Sequence, residues 1–250
     1  MKGIFLQILF AFKRDAVFVG TTIVLLCCSG FAIFLGSNAV VESDEAKIVY
    51  TAGLSRIAVI LGFIIFVTFY IKRMFENHEI ESILSRAISR PKFIISIFLA
   101  FLIVLLTLIF PIGIILIFLK TNIFNIIVWC FSVYVEGILM LSFTLCCALI
   151  INSFIHSLFA CFMMYLVGRI IGSFVAYITF SLSLEWRGVF ESILKLLSLF
   201  LPRLDVFGKT SWLIYGNFTF QEIVLSIAQA VIFCGIFLCI ANIDFKKRDF

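Results

Sequence analysis

The chain alternates between long apolar runs and short clusters of charged residues. A helix needs about 20 apolar residues to cross the hydrocarbon core of a bilayer. Six runs reach that length, so the pattern predicts an all-α integral membrane protein with six transmembrane helices. The predicted spans are Ala16–Gly36, Ile48–Ile71, Phe93–Leu119, Ile123–Ile151, Phe154–Ser181 and Ile223–Asn242.

Two segments outside the spans are also predicted to lie at the membrane surface. The N-terminal stretch resembles a secretory signal, but Lys13, Arg14 and Asp15 stand where small cleavage-site residues should be. It is therefore predicted to be a retained N-terminal interfacial helix. The longest external connection, Leu182–Glu222, contains the amphipathic run GVFESILKLLSLFLP. This run is too short and too charged to cross alone, which predicts a partly helical last external loop.

Composition restricts the chain to one class of protein. Its residues are 64% hydrophobic and 13% charged, which is too apolar for a soluble domain. The spans leave little sequence for a folded extramembrane unit, so residues 1–250 are predicted to form a single transmembrane domain. All 8 cysteines lie in apolar stretches, without the spacing of a metal site. No metal site is predicted.

Basic residues are unevenly distributed between the two sides of the predicted bundle. The net charge is +5, but the cations flank apolar runs, where anionic lipid headgroups and insertion signals explain them better than nucleic acid does. The positive-inside rule then predicts that both termini are cytoplasmic. The cations on that side are Lys2, Lys13, Arg14, Lys72, Arg73, Arg86, Arg90, Lys92, Lys246, Lys247 and Arg248; those opposite are Lys47, Arg56, Lys120, Arg187, Lys195, Arg203 and Lys209.

A charged segment between the second and third spans differs from the apolar sequence around it. From Glu76 to Ser89, its apolar residues follow the spacing of one helical face. Ser89 and Pro91 are suited to start the next span directly. The segment is therefore predicted to be a cytoplasmic amphipathic helix with little slack before the membrane. Its apolar residues are Ile80, Ile83, Leu84, Ala87 and Ile88.

The run FENHEIESILSRAISRPKFIISIFLAF, residues 75–101, closely resembles the first cytoplasmic loop of type 2 ATP-binding-cassette (ABC) exporter permeases. The basic amphipathic N-terminus, six spans, long last external loop and basic tail FKKRDF are similar to that family across nearly the whole chain. Ala87 stands where a proline is common, but the register is unchanged. In the family, this loop is a coupling helix that docks on a separate ATPase subunit.

The resemblance implies a function and a set of site residues. The chain would be the permease subunit of an ATP-driven exporter in a bacterial-type inner (plasma) membrane. It would pair with a second permease copy, identical or related, and export an amphipathic substrate such as a lipid, drug or glycolipid. The ATPase would contact or act through Glu76, Glu79, Ile80, Ile83, Leu84, Arg86, Ile88 and Arg90. The amphipathic pattern also fits a helix that only braces the membrane surface.

Motifs for chemistry within this chain are absent or incomplete. GKT at residues 208–210 lacks the upstream glycine of a phosphate-binding loop, because Arg203 stands there. HEIES, which begins at His78, lacks the second histidine of a zinc protease. The chain is therefore predicted not to be an enzyme and to need no cofactor of its own, with ATP and Mg²⁺ bound by the partner ATPase. The alternatives are a haem-exporter-like permease and an ion-gradient-driven secondary transporter.

Two charged residues lie inside predicted spans, where charges are costly and therefore informative. Glu136 in the fourth span and Arg169 in the fifth are equally far from the turn between these spans. Adjacent antiparallel helices would bring them to a similar depth. They could form a buried ion pair that fixes the two spans together. They could also line a substrate path and meet an anionic or zwitterionic group.

Overall fold

Six long helices form the framework of the protein. The computed structural model describes residue 12 and residues 15–39, 42–80, 89–181 and 201–247. Its long helices are α1 (Ala16–Ser37), α2 (Ser43–Glu76), α3 (Arg90–Phe118), α4 (Ile123–Ile150), α5 (Phe154–Ser181) and α7 (Phe220–Lys247), with a short α6 (Ser211–Tyr215) before the last one. All six long helices contain a stretch apolar enough to cross a membrane. For the described residues, the prediction of an all-helical fold with six helices long and apolar enough to span a membrane is confirmed.

The helix bounds differ from the predicted spans mainly at α2. This helix has 34 residues and is therefore roughly 50 Å long, well beyond the ~30 Å hydrocarbon core. The extra turns carry charged side chains, among them Asp44, Lys47, Lys72 and Arg73. Hydropathy detects only the apolar part of a helix, whereas the backbone hydrogen bonds continue into its polar ends. The prediction therefore began α2 too late and ended it too early.

Helix α4 lies at the centre of the bundle. It contacts α2, α3, α5, α6 and α7, while α1 packs mainly along α2. Large side chains of α3 and α4 are buried in this core, including Phe101, Leu105 and Trp129. Close packing is possible where Gly137 of α4 meets the side chain of Leu105. By contrast, α1 and α7 present many exposed apolar side chains, as expected for helices that contact lipid.

The bundle has two distinct ends. Since the six long helices run alternately up and down, α1 begins and α7 ends at the same end of the bundle, which we call the terminal end. The connection between α2 and α3 also lies there. The opposite end, which we call the loop end, holds the connections 38–42 and 119–122 and the segment 201–219.

Basic side chains bind the helices together at the terminal end. Lys72 of α2 donates a hydrogen bond to Ala148 O at 2.7 Å and another to Ile151 O, at the end of α4. Arg90 of α3 donates to Phe245 O and Lys246 O of α7, at 2.9 and 2.6 Å. Cations favour the carbonyl-rich ends of helices for electrostatic reasons. Each contact therefore stabilises one helix and joins it to another.

The start of α3 agrees only in part with its sequence signals. The helix begins at Arg90, with Ser89 at the cap position and Pro91 in the first turn, as predicted. However, the Ser89 side chain makes no capping hydrogen bond. Of the predicted interfacial helix, only residues 12 and 15 belong to the described part of the chain. Asp15 caps α1 by accepting a hydrogen bond from Val17 N at 2.9 Å.

Candidate functional site

The segment 201–216 folds back into the loop end of the bundle. It contains a 3₁₀ turn, Leu204–Val206, followed by α6. Leu204, Phe207, Trp212 and Leu213 are all buried, although the segment connects two spans. The loop before the last span is helical at Leu204–Val206 and Ser211–Tyr215, and most of the amphipathic run GVFESILKLLSLFLP, residues 188–200, lies outside the described residues. We call residues 201–216 the inserted loop.

Two glycines of α5 create the space for the inserted loop. A Cβ atom at Gly168 would lie 2.8 Å from Pro202 O, and one at Gly172 would overlap the carboxylate of Asp205. The two residues are one helical turn apart and therefore form a continuous smooth surface. Beside this surface, Arg203 donates to Asp205 at 2.8 Å. The hydrogen bonds to Asp205 raise the pKa of Arg203 above its ordinary value, so this guanidinium group stays charged.

Arg56 of α2 holds the inserted loop from the opposite side. Its side chain is buried, and its Nη1 donates to Phe207 O at 2.9 Å and to Gly208 O. Gly208 O also accepts from Trp129 Nε1 at 3.1 Å, while Gly208 N donates to Ser132 Oγ at 2.9 Å. Gly208 has φ of +53°, a conformation that glycine adopts at little cost. The turn at Gly208 is therefore bonded to two helices at once.

Arg169 and Glu136 meet at the same place. Arg169 Nη1 lies 3.7 Å from Glu136 Oε1, so the structure brings the two predicted intramembrane charges to ion-pair distance. Glu136 is fully buried, and neither of its carboxylate oxygens accepts a hydrogen bond from the part of the chain that the structure describes. Arg169 Nη1 instead donates to Leu204 O and, at 3.2 Å, to Phe207 O. Its hydrogen bonds thus hold the inserted loop.

Two guanidinium groups from different helices therefore converge on one oxygen atom, Phe207 O. We call Arg56, Glu136 and Arg169 the charge cluster. Its two cations and one anion leave one uncompensated positive charge. Among the described residues, no carboxylate lies within ion-pair distance of Arg56, and its Nε is buried without an acceptor. Tyr165 belongs to the apolar cluster formed with Leu204 and Phe207, and its hydroxyl is also buried without a partner in the described part of the chain.

Sequence reasoning missed Arg56 as a site residue, although the signal was present. Arg56 lies eight positions inside the span predicted from Ile48, in the apolar stretch GLSRIAV. By its charge alone it is one of the basic residues from which the orientation of the spans is predicted. A charge so far inside a span belongs with Glu136 and Arg169, because burying it is costly.

The residues predicted to couple with an ATPase fall into four groups. Glu76 is exposed and Glu79 is half-buried. Ile80 is only 1% exposed and packs in the core of the bundle, which corrects its assignment to a docking face. An apolar helical stripe can be covered by the protein's own core or by a partner, and periodicity does not distinguish the two. Arg90 binds the end of α7, whereas Ile83, Leu84, Arg86 and Ile88 lie outside the described residues.

Comparisons with protein-family models, with curated proteins and with solved structures found no match for this chain.

Proposed function

We propose that this protein is the permease subunit of an ATP-driven exporter of the type 2 ABC class. A separate ABC ATPase supplies the energy, and a second permease copy completes the substrate path. The chain itself carries out no covalent chemistry. Support comes from the resemblance of residues 75–101 to the coupling loop of that family, together with six helices that can cross a membrane. The exported substrate is amphipathic.

The observation that carries this proposal is the attachment of the connection between α2 and α3. On its α2 side, Lys72 binds the end of α4, and Arg73 lies 3.5 Å from Asp15 at the start of α1. Within the connection, Ile80 is buried in the core. On its α3 side, Arg90 binds the end of α7. Movement of the connection is therefore transmitted directly to α1, α4 and α7.

The coupling residues have two roles in this proposal: some contact the ATPase, and others transmit its motion to the bundle. The helical pattern of the sequence assigns Ile83, Leu84 and Ile88 to the apolar surface that an ATPase would receive, and Glu76, Glu79 and Arg86 to the charged positions around it. Ile80 and Arg90 transmit the motion, because both are bound within the bundle. A connection that only braced the membrane surface would not require attachment to three other helices.

Orientation in the membrane gives a first test. The proposal places the terminal end in the cytoplasm, as the distribution of basic residues predicts. Cysteines introduced at Ser82 and Ser43 of a cysteine-free variant are expected to react with a membrane-impermeant maleimide from opposite sides. Ser82→Cys should react only from the cytoplasm, and Ser43→Cys only from outside. The reverse pattern would exclude coupling to a cytoplasmic ATPase.

Association with an ATPase gives a direct test. The tagged chain, purified from its native membrane in a mild detergent, is expected to retain an ABC ATPase that mass spectrometry identifies. The complex should hydrolyse ATP in a vanadate-sensitive manner. If the chain is isolated without any ATPase and its transport stops when ionophores dissipate the ion gradients, the protein is instead a secondary transporter. Retention of cytochrome-maturation proteins with the ATPase would show the haem-exporter-like alternative.

A further inference from the structure

The hydrogen-bond acceptors of the two arginines in the charge cluster are neutral. Arg56 and Arg169 donate to carbonyl oxygens of Leu204, Phe207 and Gly208. A buried charge is costly unless an opposite charge and hydrogen bonds compensate it. Glu136 supplies one negative charge at 3.7 Å from Arg169. Among the residues that the structure describes, the other guanidinium group, that of Arg56, has carbonyl oxygens as its acceptors and no carboxylate within ion-pair distance.

An oxyanion would pair with these guanidinium groups better than the carbonyl oxygens of the inserted loop do. Guanidinium groups bind carboxylate and phosphate groups through paired, charge-assisted hydrogen bonds, which are shorter and stronger than those to neutral acceptors. The buried Nε of Arg56 and the Tyr165 hydroxyl are two further donors without acceptors. The two Glu136 oxygens are likewise without donors in the described part of the chain, so it is the excess positive charge of the cluster that favours an anion as the ligand.

The surroundings of the charge cluster are apolar. Ile60 and Ile64 of α2 and Val135 and Leu139 of α4 are buried beside it, in the same cluster as Leu204 and Phe207 of the inserted loop. A fully hydrated inorganic anion would have to lose its water in order to enter such a place. A headgroup attached to an acyl or other apolar chain compensates part of that cost by burying apolar surface.

We propose that Arg56 and Arg169 bind the phosphate or carboxylate group of an amphipathic, anionic substrate. This inference rests on the proposed function and assigns its substrate class. The carbonyl oxygens of Phe207 and Gly208 occupy the positions that the anion's oxygens take. Binding therefore requires the inserted loop to withdraw from the two guanidinium groups. Glu136 stays beside Arg169 and limits the site to one excess positive charge.

Native mass spectrometry of the purified chain, without any ATPase, tests the assignment. The chain in neutral detergent is titrated with phosphatidylglycerol, with phosphatidylcholine and with inorganic phosphate. We expect phosphatidylglycerol to bind about tenfold more tightly than phosphatidylcholine, and Arg56→Gln or Arg169→Gln to remove that preference, because each loses a charge-assisted contact. Arg73→Gln is the matched control. It removes an arginine from the terminal end and should leave the preference unchanged.

Several outcomes would overturn the inference. Equal binding of the two lipids by the wild-type chain would remove the anionic preference, whether or not the variants fold. An equal loss in Arg73→Gln would show general attraction of acidic lipid. Inorganic phosphate that competes as well as the lipid would show a site for a free anion.

Arg56→Lys and Arg169→Lys keep the charge and should retain part of the preference. Since no ATPase is involved, the proposed coupling can fail while this result stands.

Discussion

Replacement of Arg169 by methionine is expected to lower the free energy of unfolding by about 3–5 kcal/mol, the range found when one partner of a buried ion pair is removed. The variant leaves the fully buried Glu136 without its nearest cation, and it removes the donor to Leu204 O and Phe207 O. Glu136→Gln should cost less, because Arg169 keeps its carbonyl acceptors. The double variant should recover part of the loss in Arg169→Met. Thermal and denaturant unfolding in detergent measure all three.

Arg203→Met is the matched control for this prediction. Arg203 also pairs with a carboxylate, and its 2.8 Å distance to Asp205 Oδ2 is shorter than the one between Arg169 and Glu136. Its side chain is 40% exposed, so water compensates the loss and the expected cost is at most about 1 kcal/mol. Similar small losses in both variants would contradict the buried pairing. A large loss only in Arg169→Met would show that burial matters more than distance.

Aspartate at Ile83 or Leu84 is expected to abolish ATPase binding while the chain still inserts and folds. In the proposed function these side chains enter a desolvated contact, where a new carboxylate without a partner is costly. Co-purification of the ATPase and substrate-stimulated ATP hydrolysis should therefore fall together, by about tenfold or more. Both quantities are measured on the purified complex and compared with the unfolding temperature of the chain alone.

Two variants of the same segment separate docking from folding. Ser82→Asp adds the same charge next to Ile83, at a position that the helical pattern directs away from the apolar face, and it should leave the ATPase bound. Ile80→Asp should instead destabilise the chain itself, because Ile80 is buried in the bundle. If Ile83→Asp and Leu84→Asp bind the ATPase normally and still transport, the connection is only a surface brace and the exporter proposal fails.

The spans could be predicted because hydropathy reports a property of each helix separately. A helix in hydrocarbon must cover its own backbone with about 20 apolar side chains, and this requirement is visible without any partner. The similar depth of Glu136 and Arg169 followed from the same logic, since both positions are counted from one short turn. For the spans and for the depth of these two residues, the local sequence contains almost all of the information needed.

The inserted loop could not be predicted in the same way. Leu204, Phe207 and Trp212 are separated by turns, show no regular period and are buried only because α2, α4 and α5 enclose them. In the sequence, Gly168 and Gly172 look like ordinary small residues of a span. Only the structure shows that a loop packs closely against them. The role of Arg56 could not be predicted for a related reason, because its acceptors lie about 150 residues later in the chain, at Phe207 and Gly208.

The sequence by itself therefore determined the class of protein, the number of spans and their approximate bounds, because the bilayer acts on each helix independently. Only the tertiary structure decided which charges meet, which side chains of the α2–α3 connection are buried and where the last loop lies. Those features depend on contacts between distant segments, in which a carbonyl or a carboxylate from one helix compensates a charge on another. Arg56 illustrates the difference: the sequence shows a cation within a span, and the fold supplies the oxygen atoms that hold it.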